Sequence, residues 1–360
     1  MARRVKRGKA DVSLERNWEI LTESVTTKDI RVVREWFKHN TNLHGRGSEF
    51  PAHLRDPVFV AVADGSKAIV TLLLRHGFKV NRLTHGKRRS LRPVHVAAKY
   101  GQMEMLMTLL NDHDVPVDTR DSFHGTPLSY AVEGNHLDVV QYLLSQGADC
   151  DRPNHFRSPF VSAVSANKLS LVQLMTQHGA NVNCRVSEEG CLINKCARLN
   201  YVDMMWLLYN NGARVDIRDK IKGFGILHFA LQKPIHVKVL QFLIKVNAPL
   251  NEVCSEGRSA LLGMLCSKDS LFQSSRYVRL LVEAGYKVTR SDCDAACTIH
   301  TDCEPLKSEL TDYLSRIWSL QQLVCFKVRH ILGPDLPKRI HYLPLPAQVK
   351  EYVLLKHLTD

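Results

Sequence analysis

A short slot returns at nearly fixed spacing along most of this chain. Arg92-Pro93-Val94-His95-Val96-Ala97-Ala98 aligns with Thr126-Pro127-Leu128-Ser129-Tyr130-Ala131-Val132. The position of the proline recurs at Pro57, Pro93, Pro127, Pro159, Leu192, Ile226 and Ala260, at intervals of 36, 34, 32, 33, 34 and 34 residues. A period of this length marks one supersecondary unit copied along the chain, and such a unit buries its apolar face only against a stacked neighbour. The chain is thereby restricted to a stack of like units, seven by this reading.

Each unit reads as two helices. Threonine caps the first helix, and proline takes its first position, where a missing N–H costs nothing. Gly65, Gly101, Asn135, Asn167 and Asn200 lie eight residues after the slot and close the first helix. Gly77, His113, Gly147, Gly179 and Gly212, and after small insertions Asn247 and Gly285, close the second. Glycine and asparagine suit a left-handed helix end. Ala97, Ala98 and Ala131 let helices approach, while Leu73-Leu74 and Leu143-Leu144 fill the core. The stretch from Asp29 to Phe37 mimics the second helix around Leu137 to Leu144, which predicts an N-terminal partial unit. A long loop is expected from Asn40 to Arg55.

These slots resemble the T-P-L-H-x-A signature of ankyrin repeats over roughly residues 15 to 290. The resemblance implies an all-α ankyrin-repeat solenoid of about seven repeats with an N-terminal partial cap. It also implies that His95 and His228, in the family's histidine slot, stitch the loops of adjacent repeats by hydrogen bonds.

The last stretch, Ser319 to Asp360, has a different pattern. Leu320, Val324, Val328 and Ile331 or Leu332 make one apolar helical stripe, with Gln322, Lys327 and Arg329 facing away. Gly333-Pro334 stops this helix. A short polar stretch then leads to Leu343-Pro344-Leu345-Pro346, and a second apolar stripe follows in Val349, Tyr352, Val353 and Leu355. So short a segment is expected to need a partner to fold.

Here the chain resembles a SOCS box, a three-helix module that recruits elongin B, elongin C and a cullin scaffold of a ubiquitin ligase. The family's S/T/P-L-x-x-x-C-x-x-x-aliphatic element, which enters an elongin C pocket, maps onto Ser319, Leu320, Val324 and Val328, with Leu332 continuing the face. The family's cysteine is replaced by Val324, and Cys325 comes one place later. Using Cys325 would put Gln321 in the leucine pocket, so the ungapped match stands. The L-P-x-P motif falls on Leu343, Pro344, Leu345 and Pro346, with Val349 and Tyr352 behind it, and implies cullin-5 with its RING subunit. The two resemblances together match the ankyrin repeat and SOCS box family. They imply an adaptor that makes no bonds itself and holds an unidentified protein substrate on its repeats. The competing reading is a plain ankyrin scaffold whose tail is only a cap.

The expected domains are a basic arm (1–15), a partial repeat and loop (16–55), the repeats (56–290), a junction (291–318) and the SOCS box (319–360). Net charge is +13. Arg82, Lys87, Arg88, Arg89 and Arg92 crowd one interrepeat hairpin without an acid, which suits an acidic partner. Hairpin tips that combine basic and aromatic residues, Arg88, Arg89, Phe123, Phe156, Lys222 and Phe224, are the candidate substrate surface. No groove-reading motif accompanies the charge, which argues against nucleic acid. There is no run of 18 apolar residues, and MARRVKRGKA lacks the apolar segment of a signal peptide. No membrane contact is expected, and a cytoplasmic location, also nuclear through the basic run, is. Ten irregularly placed cysteines read as reduced core thiols. Cys293, Cys297, His300 and Cys303 have a spacing open to zinc, but the first three also share a helix face, as core residues do. Neither a phosphate-cradling loop nor a nucleophile elbow is present, so no enzyme and no cofactor is expected.

Overall fold

The computed structural model describes residues 9–41, 56–80, 90–112, 115–186, 190–232, 235–265, 271–292, 308, 310–313, 320–343, 345 and 347–354, in parts of some helices through the backbone alone. The chain divides into two compact units at Ala180 and Asn181.

In the first unit α1 (Lys9–Thr26) and α2 (Ile30–His39) precede four helix pairs. These are α3 (Pro57–Ala63) with α4 (Lys67–Arg75), α5 (Pro93–Lys99) with α6 (Met103–Met107), α7 (Pro127–Gly134) with α8 (Leu137–Ser145), and α9 (Pro159–Ser165) with α10 (Leu169–Gln177). The second unit continues with α11 (Leu192–Arg198) and α12 (Val202–Asn210), α13 (Ile226–Ala230) and α14 (Val237–Lys245), and α15 (Ala260–Leu265) and α16 (Leu271–Glu283). A helix thus begins at each of the seven slots. The cause is local. The Asp56 carboxylate accepts from the Val58 N–H, Ser158 Oγ from the Val161 N–H at 3.2 Å and Thr126 Oγ1 from the Ser129 N–H at 3.4 Å. Proline fills the first turn at Pro57, Pro93, Pro127 and Pro159. Every described closing residue is left-handed, from φ +52° at Asn247 to +103° at Gly285.

First helices stack on first helices, α5 between α3 and α7, and α13 between α11 and α15. The core of the first unit holds Leu73, Leu106, Leu128, Leu143, Phe160 and Leu171; that of the second holds Leu192, Leu208, Leu240, Leu243, Leu261 and Leu281. Cys150, Cys191, Cys196, Cys254 and Cys325 are buried thiols outside any disulfide, and burial pushes the Cys150 and Cys196 thiols up to about 12. They sit as inert core thiols. Among the described residues no helix is long and apolar enough to cross a membrane.

Three features depart from the sequence reading. The expected flexible arm is helical from Lys9, because Trp18, Leu21 and Val25 form one buried stripe. The Trp18 ring lies 6.0 Å from that of Trp36 and edge-on to Phe78 at 5.8 Å, so the cap is a helix pair. Second, a small antiparallel hairpin interrupts the all-α pattern, with β1 (Arg185–Val186) paired to β2 (Gly190–Cys191) in the register Arg185 to Cys191. Third, the tail holds α17 (Leu320–Leu332), α18 (Leu336–Arg339) and α19 (Ala347–Val353), with 3-10 turns at Gly333–Asp335 and Ile340–Tyr342. The stretch expected to be merely polar therefore contributes a helix, and its Leu336 and Ile340, four residues apart, are fully buried. The loop expected from Asn40 to Arg55 lies almost wholly outside the described residues, and the cysteine and histidine cluster from Cys293 to Cys303 entirely so.

Candidate functional site

Helix α17 is fixed to the repeats of its own unit by a charged residue. Arg329 was expected to face away with Lys327, and Lys327 does, but Arg329 is only 3% exposed. Its guanidinium donates to the Val353 carbonyl at 2.7 Å and to the Ile244 carbonyl at 2.8 Å. Ile244 lies in the last turn of α14, where its carbonyl accepts along the chain only from the cap, at 3.1 Å from the Asn247 N–H, and has a lone pair to spare, and where the dipole favours a cation. These acceptors at the end of another helix overcome the preference of arginine for water. Burial pulls its pKa down to about 10, so it remains charged at neutral pH.

Other contacts tie the same junction. Asn247 Nδ2 donates to the Arg329 carbonyl at 2.6 Å and to the Gly333 carbonyl at 2.7 Å. Tyr209 Oη donates to the Pro334 carbonyl at 2.7 Å, and the Lys338 ammonium sits 5.3 Å above the Tyr209 ring. The Phe326 ring lies against Gly285. Sequence reading missed Tyr209, Asn247, Phe326 and Arg329 in this role, since the tail was expected to leave its stripes to a partner. The left-handed Asn247 was the one visible sign.

Arg329 and Cys325 turn inward, and of the proposed elongin residues Val328 and Leu332, three and seven positions from Cys325, border that inward face. Val328 and Leu332 are half-buried and Ile331 is 68% exposed. Leu320 and Val324 share the helix, one turn apart, but their side chains lie outside the described residues. In the proposed cullin segment Leu343 and Leu345 are half-buried, Val349 is exposed, and Val353 is buried beneath them. Pro344, Pro346 and the Tyr352 side chain fall outside the description, while the neighbouring Tyr342 is 89% exposed.

The proposed substrate tips are ordered by buried carboxylates. Asp121 accepts from the Phe123 N–H at 2.8 Å and the Gly125 N–H at 2.6 Å. The Phe123 carbonyl accepts from the His155 N–H at 3.1 Å, which joins two successive tips and brings Phe123 near Phe156. Phe156 is 73% exposed. In the second unit Asp219 accepts from the N–H groups of Ile221, Lys222 and Phe224 at 2.5, 2.8 and 2.9 Å. Burial works to raise its carboxyl, but these backbone donors hold it below the ordinary range. The Lys222 ammonium lies 5.5 Å above the Phe224 ring, which stacks flat on His228 at 5.0 Å. Arg88 and Arg89 lie outside the described residues.

The two slot histidines join successive loops as expected. His95 Nδ1 accepts from the Arg92 N–H at 3.1 Å and Nε2 meets the Thr119 carbonyl at 2.9 Å. His228 does the same with the Gly225 N–H at 3.2 Å and the Arg258 carbonyl at 3.3 Å. A carbonyl only accepts, so Nε2 carries the proton in both. Burial pulls both imidazoles below their ordinary value, which keeps the stitches neutral. Asn194 substitutes in the same slot, its Nδ2 donating to the Ile217 carbonyl at 3.3 Å.

The family description for ankyrin repeats, in three copies, matches residues 58–154, and that for the SOCS box matches residues 316–354. Ankyrin repeat and SOCS box protein 6 of Homo sapiens is 34% identical over 186 residues, covering 48% of this chain and 42% of the relative. Ankyrin repeat and SOCS box protein 11 of Mus musculus is 34% identical over 93 residues, covering 26% and 28%. Alpha-latrocrustotoxin-Lt1a of Latrodectus tredecimguttatus is 36% identical over 93 residues, covering 26% of this chain and 6% of the toxin. The chain spans less than half the length of these curated relatives. The crystal structure of the human ASB11 ankyrin repeat domain aligns at a TM-score of 0.52 with 24% identity, over 64% of this chain and 98% of that domain, which supports the ankyrin fold. The chain carries ankyrin repeats and a SOCS box in one sequence, the combination named in the ankyrin repeat and SOCS box proteins to which it is similar.

Proposed function

We propose that this protein is the substrate-recognition adaptor of a cullin-RING ubiquitin ligase. In this reading Leu320, Val324, Val328 and Leu332 on α17 enter elongin C, which is bound to elongin B. The segment Leu343, Pro344, Leu345 and Pro346, with Val349 and Tyr352, meets cullin-5 and through it the RING subunit. The repeats hold a protein substrate. The adaptor acts by raising effective concentration: a substrate lysine held near the ubiquitin-charged enzyme reacts as in an intramolecular transfer.

The observation that carries the reading is the division of α17 into two faces. Cys325 and Arg329 are buried within the protein, while Ile331 and the half-buried Val328 leave apolar surface unspent. Exposed apolar surface flanked by Lys327 and His330 suits a protein partner.

The cap reading has one observation in its favour, the anchoring of the tail by Arg329, Asn247 and Tyr209. Anchoring through Arg329 still leaves Ile331 and part of Val328 exposed, so it is compatible with recruitment. The test is coexpression with elongins B and C followed by affinity capture of the full chain. Capture of both elongins by the wild type, and their loss in Leu320→Asp with helical content unchanged, is expected, because a carboxylate in an apolar pocket is strongly disfavoured. A wild type that brings down neither elongin leaves the cap reading in possession.

A further inference from the structure

We propose that the cleft beside Lys222 receives one carboxylate side chain and, next to it, one aliphatic side chain of the captured protein. This deepens the reading that the repeats present a substrate, and it rests on that reading. The cleft, of about 360 Å³, is lined by Arg198, Ile221, Lys222, Phe224, Phe229 and Gln232, with Asp219 at its base.

Three observations fix the chemistry of the occupant. The first is charge. The one acid among the described lining residues, Asp219, is buried and engaged by three backbone N–H groups of its own turn, and the nearby Lys222 charge adds to what holds its carboxyl low. His228, behind Phe224, is kept neutral by burial. Among the described lining residues the exposed charge is therefore the Lys222 ammonium, with Arg198 a second basic residue in the lining.

The second is order. An ordinary surface lysine loses considerable rotamer freedom when it pairs with an acid. Lys222 instead lies over the Phe224 ring, and that ring is held flat against His228. The backbone beneath is fixed as well: the Lys222 carbonyl accepts from both the N–H and the Oγ of Ser255 at 2.9 Å. Gly223, at φ +66°, packs so closely on Ser255 N that a Cβ there would meet it at 3.0 Å. A cation held this way binds a carboxylate with little further ordering.

The third is the apolar wall. Ile221 is 72% exposed beside the faces of Phe224 and Phe229, and an exposed isoleucine next to aromatic rings is covered favourably by an aliphatic side chain. The Phe156 ring in the first unit is exposed, and among the described residues no ammonium is held over it, which is why the acid is assigned to the Lys222 cleft.

The test selects displayed random peptides of about twelve residues on the immobilised full chain, coexpressed with elongins B and C. Enriched peptides are expected to carry Asp or Glu within about four residues of Leu, Ile, Val or Met. The best of them, made synthetically and followed by fluorescence anisotropy, is expected to bind Lys222→Glu at least about ten-fold more weakly, a loss that shrinks at high salt. The same peptide with its acid changed to lysine is expected to prefer Lys222→Glu over wild type. Phe224→Ala tests the apolar wall and is expected to lower affinity without removing the salt dependence. Enrichment of peptides that lack an acid, or that need a phosphoryl group, overturns the proposal. So does equal binding by wild type and Lys222→Glu, or no enrichment at all. Elongin capture is scored on the same preparations, so failure of the ligase reading registers separately from failure of the cleft.

Discussion

The Arg329 guanidinium meets the Ile244 carbonyl at 2.8 Å across 85 residues of sequence, joining the first tail helix to the second helix of a repeat. The same guanidinium holds the Val353 carbonyl in α19. One side chain thus links three helices that are distant in sequence, which fixes α17 against the last repeats of its unit.

Arg329→Ala is expected to remove a donor from both carbonyls, of which Ile244 keeps the Asn247 N–H, and to remove the stem that covers them, at a cost of roughly 3 kcal/mol. Limited proteolysis and thermal denaturation of the full chain check it. The tail should become cleavable while fragments of the repeats persist. Arg329→Lys should rescue only in part, because one ammonium does not span two carbonyls as the planar fork does. An unchanged melting curve for Arg329→Ala would falsify the anchoring role.

Gly285→Ala probes the same junction from the repeat side. An added Cβ would stand 3.0 Å from the Phe326 ring on a backbone at φ +103°. A loss of about 1–2 kcal/mol is expected in urea denaturation, from backbone strain and displacement of the ring together. Adding Phe326→Leu should recover the part owed to the ring. Full recovery would mean that the left-handed backbone contributes nothing.

Much of the fold was legible because the repeat supplies its own ruler. The start of the first helix in each unit from Pro57 to Ala260 follows from spacing, and every described closing Gly or Asn sits where a left-handed residue is needed. Helix α1 was equally readable in the steps from Trp18 to Leu21 to Val25, but the basic run beside it drew the reading toward a solvated arm. Arg329 was not readable. Its burial depends on acceptors at the end of α14 and in α19, and nothing local to α17 distinguishes it from the exposed Lys327. The pairing of Lys222 with Phe224 was visible as proximity in sequence, whereas the Ser255 contacts that fix it come from the next loop.

The buried His95 predicts a pH dependence with a definite sign. Its folded-state pKa lies below the ordinary 6.5, chiefly through burial. The unfolded chain therefore binds more protons as pH falls below about 6.5, and the stability present above that value is lost on acidification toward the folded-state pKa. Protonation would also remove the Nδ1 acceptor of the Arg92 N–H. Urea midpoints at about pH 7.5 and 5.5 should differ in the wild type and differ less in His95→Asn, which places an amide where Asn194 already uses one. A slope identical in both proteins would assign the dependence to His228 or elsewhere.

The last expectation separates the two halves of the tail. Leu336, Ile340 and Val353 are the tail's own buried residues, while Leu343 and Leu345 are half-buried and Val349 is exposed. Alanine at all four positions from Leu343 to Pro346 removes surface that a partner would cover and leaves the buried set and the Arg329 anchor in place. On the proposed reading cullin-5 should then be lost from affinity captures while elongins B and C remain, because the proposed elongin residues lie on α17, a different helix. The comparison is made on one preparation, with the elongins as the internal control for folding. If the elongins leave with the cullin, the tail folds as a single unit and the division of labour between α17 and the Leu343 segment is wrong.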